Sequence, residues 1–109
     1  MTAKVNAKEF NALQIRLIIT LALDIKSRLE KMGLGEDREL IESLLFDISV
    51  IIDGSREMKF NGKQIKPILM FAEDKEYKQL ITSGGGSWMH EICGKVVSKM
   101  FEKADETGE

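Results

Sequence analysis

With 109 residues, 43% hydrophobic and 31% charged, nine Gly and one Pro, the chain has the make-up of one globular domain, which excludes collagen-like, low-complexity and strongly disordered classes. A net charge of −2 argues against a protein built to neutralise phosphates, so no nucleic acid is expected as partner. Cys93 is the only cysteine, so no intrachain disulfide forms, which fits a reducing, cytoplasmic setting.

Charge is unevenly spread. Residues 1–35 sum to +3, residues 36–60 to −4, residues 61–87 to +1 and residues 88–109 to −2. Opposite blocks can face each other across a helical hairpin, or steer two copies together.

The first element is a helix over about Lys8 to Met32. Phe10, Leu13, Leu17, Leu21, Ile25, Leu29 and Met32 recur at helical steps and form one apolar stripe. The apolar run Leu17 to Leu23 meets Asp24 and Lys26 too soon for a membrane span. Gly33 after Met32 predicts a glycine-closed end, with Leu34 folding back onto Leu29. Ile15, Ile18, Ile19 and Ala22 lie off the stripe. They predict either a helix central to the fold or a second face that meets another protein.

A second helix is expected over about Glu36 to Asp53. Glu36, Asp37 and Glu39 crowd its positive end, and Leu40, Leu44, Ile48 and Ile51 make its stripe, with Ile41, Leu45 and Ile52 broadening it. Gly54 ends it. The short link Gly33-Leu34-Gly35 implies an antiparallel pair.

The period then changes to two. Asn61-Gly62 is a hairpin signal, since both central residues of that turn need positive φ. A two-residue loop pairs Phe60 with Lys63 and Met58 with Ile65, which puts Met58, Phe60 and Ile65 on one face. Pro67 cannot donate to a ladder, so the strand is an edge or stops there. Strand is expected to about Phe71, then a short helix from about Asp74 to Thr82.

Ser87 caps a last helix in which Trp88/Met89, Ile92/Cys93, Val96/Val97 and Met100/Phe101 repeat every four residues. Residues 103–109 are read as a disordered tail. The fold class is therefore α+β in a single domain: an antiparallel helix pair, a β-hairpin and a C-terminal helix. A mostly α fold is the alternative.

Few residues suggest chemistry. Gly84, Gly85 and Gly86 open into a helix, where free amides and the helix dipole can hold an anion, but the loop lacks the spaced glycines and lysine of a nucleotide-binding loop. His90 is the lone histidine and the first candidate base, with Asp53 and Ser55 as its potential partners. His90 and Cys93 are too few for zinc, and Cys93 fits the core stripe. Arg56 sits where an anion would lie near a helix end and a hairpin. Trp88 is either a binding hot spot or filling at the core edge.

No cofactor, metal or catalytic set follows from these residues. The expected function is a small, non-catalytic protein-binding module, an adaptor, inhibitor or immunity-type protein, bound to another protein or to a second copy of itself. Ile15, Ile18, Ile19 and Ala22 are its interface candidates. The alternative is a small-molecule or anion site, enzymatic if His90 serves as base, built from Arg56, Gly84, Gly85, Gly86, Ser87, Trp88 and His90.

Overall fold

The computed structural model describes residues 2–107, with side chains as far as residue 102; of the tail read over residues 103–109, residues 103–107 continue the last helix and residues 108 and 109 fall outside the described residues. Three helices make the body. Helix α1 (Ala7–Glu30) packs on both α2 (Arg38–Ile52) and α3 (Met89–Thr107). A small sheet sits at one end: β1 (Thr2–Val5), β4 (Phe71–Ala72) and β5 (Gln79–Thr82), in the order β1-β5-β4. Strand β5 runs parallel to β1, with Val5 opposite Thr82, and antiparallel to β4. The remaining strands, β2 (Met58–Phe60) and β3 (Lys63–Ile65), form a separate hairpin. The α+β class and the antiparallel helix pair are as the sequence predicts.

Local chemistry explains the helix ends. Asn6 caps α1 by accepting from the Glu9 backbone amide at 3.0 Å, and its side-chain Nδ2 donates to the Glu9 carboxylate at 3.1 Å. Asp37 caps α2 through the Leu40 amide at 3.1 Å. Both helices close in the same way. Gly33 has φ +76° and its amide bonds the Glu30 carbonyl, while the Leu34 amide bonds that of Leu29. Gly54 has φ +72°, with Gly54 and Ser55 bonding Ile51 and Val50. Only glycine takes such a φ without steric cost.

The core joins Ile18, Ala22 and Leu29 of α1, Ile41 and Leu45 of α2, and Met89, Cys93, Val97 and Phe101 of α3. Here the expected phase of α1 is corrected. Its most deeply buried line is Phe10, Gln14, Ile18 and Ala22, not the Leu13, Leu17, Leu21 stripe, whose members are half-buried. Because α2 and α3 cover α1 from two sides, its centre-line falls between the two apolar runs. Ile18 and Ala22 are therefore core residues and present no interface. Ile19 is half-buried, Ile15 is 37% exposed, and Met32 stands in solvent. The expected stripe of α2 is corrected likewise: Ile41, Leu45 and Ser49 are buried, whereas Leu44 and Ile51 are exposed.

Two further expectations change. The helix expected over Asp74 to Thr82 is instead a turn followed by β5. Asp74 accepts from the Lys78 amide at 3.0 Å, and Tyr77 adopts φ +58° to reverse the chain. Leu80 and Ile81 then pair with strands on both sides, a tertiary demand that overrides local preference. Strand β1 is also absent from the sequence reading. Its four residues are all exposed and carry no alternation; they are strand only because β5 is there to pair with.

Candidate functional site

Asp53 is the last residue before Gly54 closes α2. Its side chain is fully buried and turned toward the first turn of α3. One carboxylate oxygen accepts from the Ser87 hydroxyl. The other accepts from the His90 amide at 2.9 Å and lies 2.5 Å from His90 Nδ1. Burial pushes the Asp53 carboxyl up, but the bonds from Ser87, the His90 amide and ring and the Met89 amide outweigh it, so it lies below the ordinary value. From the other side, Gln14 of α1, also fully buried, accepts from the Trp88 amide at 3.3 Å. The first-turn amides of α3 are thus filled by side chains from α1 and α2. The helix N-terminus holds its own anion, Asp53.

This geometry brings together two residues that sequence spacing left far apart, Asp53 and His90, and adds Ser87. Ser55 does not join them. Ser87 and His90 stand side by side on the same carboxylate, whereas a nucleophilic relay needs the serine on the imidazole and the imidazole on the acid. The His90 ring meets the Phe46 ring edge-on at 6.0 Å. What these three groups do is hold the end of α2 to the start of α3.

The glycine loop is likewise self-satisfied. The Gly84 amide donates to Thr82 Oγ1 and the Gly85 amide to Ser83 Oγ, both at 3.2 Å, and Ser83 donates to the Gly85 and Gly86 carbonyls. Beside the loop runs an open groove of about 880 Å³, walled by Gln64, Lys66, Ile68 and Met70 and floored by Asp53 and Gly54. Arg56 does not enter it: its guanidinium lies 3.9 Å from Asp47 on α2. Of the charged side chains along the groove, Lys66 is balanced by Glu57, and the Asp53 carboxylate is turned away toward α3. The set expected for an anion therefore does not converge. Trp88 is half-buried, 6.2 Å from the Phe10 ring, and serves the core edge. Cys93 is buried, bonded to Ser49 Oγ at 3.2 Å, and burial pushes its thiol up, the opposite of a reactive thiol.

The β2–β3 hairpin differs from all of this. Its turn is as predicted: Asn61 at φ +51°, Gly62 at φ +75°, with Met58 opposite Ile65 and Phe60 opposite Lys63. Its apolar face, however, does not meet the core. Phe60 is 67% exposed, Met58 43% and Ile65 42%, and Ile68 (67%) and Met70 continue the exposed apolar surface toward β4. Arg56, Lys59, Lys63 and Lys66 frame it against one acid, Glu57, whose carboxylate accepts from Gln64 at 2.7 Å. An isolated two-stranded ribbon is marginal in water, and a contiguous exposed apolar patch marks a contact surface.

Among the described residues no cluster of three His, Cys, Asp or Glu side chains is placed to hold a metal ion, and no helix is long and apolar enough to cross a membrane. No family model, characterised protein or solved structure matches this chain in comparisons with each. Its functional reading therefore rests on its own geometry.

Proposed function

We propose that this chain is a small, non-catalytic protein-binding module whose contact surface is the β2–β3 hairpin and the strap through Ile68 and Met70. The supporting observation is a well-formed hairpin whose apolar face is turned outward, with Phe60 and Ile68 each 67% exposed. Solvent exposure of that face has a cost that burial against a partner removes. The groups that suggest catalysis are engaged in joining α2 to α3, whereas the apolar face of the hairpin is uncommitted. Residence in the cytoplasm belongs to the same reading, supported by the unpaired, buried Cys93.

The test compares proteins retained from source cells by the wild-type chain and by a Phe60→Ser, Ile68→Ser variant of equal stability. The module reading expects at least one partner, or the chain itself, to be retained about tenfold or more less by the variant, as for loss of central aromatic and aliphatic anchors. Identical retention profiles would overturn it.

A further inference from the structure

We infer that the groove between the strap and the glycine loop takes an extended peptide segment of a partner, laid along residues 66–70 and paired with their main chain. The inference rests on the reading of the hairpin and strap as a contact surface, and names the chemistry of what fills it. Gln64, Lys66, Ile68 and Met70 all wall the groove, while Leu69, between the last two, packs against the core. That alternation is the habit of an extended strand, and Pro67 favours it at its own position and at the one before. Yet the strap pairs with no strand. Among the described residues, no backbone hydrogen bond involves residues 66–70, although β3 precedes them and β4 follows. An extended segment lying there meets free main-chain donors and acceptors, and the exposed Ile68 and Met70 side chains receive its alternate residues.

The glycine side of the groove adds an independent observation. Two of the glycines lining it are dictated by the fold: Gly54 has the Pro67 carbonyl oxygen 3.0 Å from where a Cβ would stand, and Gly84 has φ +82°. Gly85 and Gly86 are not. Neither has a positive φ, and no atom lies within 4 Å of either Cβ position, so a side chain at either place would strain nothing. Glycine there costs conformational entropy on folding. What the missing side chains provide is a bare wall that another backbone can approach closely. From Gln64 to Met70 an extended chain covers about 20 Å, the reach of a strand of about six residues. Lys66 and Glu57 offset each other along it, so main-chain and aliphatic contacts, rather than net charge, select the segment.

The experiment selects binders of the full chain from a displayed library of random heptapeptides, then measures the enriched peptides, made synthetically, by fluorescence anisotropy. The expected peptides carry aliphatic residues at alternate positions. The Gly85→Leu, Gly86→Leu variant, which fills the groove, and Ile68→Ser should each bind them about tenfold more weakly. Methylating the peptide's amides one at a time should weaken binding at every second position and spare those between, as in a paired strand. Circular dichroism and urea unfolding check that each variant keeps the wild-type fold. A library yielding no binder, peptides indifferent to the glycine substitutions, or amide methylation without a period of two would each overturn the inference. A cellular partner lost by the Phe60→Ser, Ile68→Ser variant but retained by Gly85→Leu, Gly86→Leu would sink the groove inference while sparing the module reading.

Discussion

Asp53 and Phe60 stand on either side of Gly54 in opposite surroundings. The Asp53 carboxylate, a charged group, is fully buried and bonded by Ser87 and by the amide and ring of His90. The Phe60 ring, a large apolar group, is mostly in water. Composition rules alone would place each where the other is. Asp53 is tolerated inside because a helix N-terminus offers it donors and a favourable dipole, so the carboxylate caps a helix from a different segment. Phe60 is left outside because its strand belongs to a ribbon with no layer over it. The residues that look chemical are occupied by structure, and those that look structural are free to bind.

The largest effect expected at the joint between α2 and α3 breaks the first half of that contrast. Replacing Asp53 with Ala strands the Ser87 hydroxyl and the His90 amide in a buried site, and should cost about 3 kcal/mol, as for a multiply bonded charged acceptor. Urea unfolding measures it. Asp53→Asn keeps an acceptor and should cost clearly less. Were Asp53→Ala to leave the unfolding midpoint unchanged, the joint between α2 and α3 would not depend on this carboxylate.

A smaller effect comes with acid. The folded Asp53 carboxyl lies below its ordinary value of 3.8, so its contribution is complete above the unfolded value and is lost as pH falls through the folded one. The stability gap between wild type and Asp53→Asn, measured by urea unfolding at neutral pH and again near pH 3, about one unit below the ordinary carboxylate range, should narrow in acid. A gap that widens on acidification would mean that burial, rather than hydrogen bonding, governs this group.

The hairpin turn gives the next smaller effect. Gly62 at φ +75° has no neighbour within 4 Å of where a Cβ would stand, so Gly62→Ala costs only the backbone strain, about 1 kcal/mol. Because the ribbon is separate from the three-stranded sheet, that cost should appear as roughly fivefold faster amide exchange within β2 and β3, with global unfolding nearly unchanged. Equal loss in the hairpin and in α3 would show that the two regions unfold together.

What the sequence made legible follows the range of each interaction. The closures at Gly33 and Gly54, the Asn61-Gly62 turn and its register, and the α3 stripe are set within a few residues, and each stands as read. Strand β1, the β5 segment and the phases of α1 and α2 depend on contacts between distant parts of the chain. Thr2–Val5 has no pattern of its own, Leu80 and Ile81 suit helix or strand until partners arrive on both sides, and the centre of α1 depends on having two neighbouring helices. The candidate site divides the same way. Asp53 was visible as a possible partner of His90, but its role as the cap of α3 joins positions 37 residues apart and leaves no local trace. Gln14, a polar residue within an apolar run, was the one available hint that α1 meets a helix end.

The smallest effect is the most discriminating. Phe10 and Phe60 are the same residue type, one fully buried against Phe71 and Trp88 and the other two-thirds exposed. Phe10→Ala should cost about 3–5 kcal/mol, the range for emptying a core aromatic site, whereas Phe60→Ser should change the stability of the dilute monomer by less than about 0.5 kcal/mol. Denaturant unfolding below about 1 µM, where weak association contributes nothing, reads both. If Phe60→Ser proved as costly as a core substitution, the ring would have to be covered by its own chain, and the surface proposed for binding would not be free. If it is neutral, selection for fold stability gives no reason to keep an exposed aromatic on an isolated ribbon, and the reason must lie in what the ribbon touches.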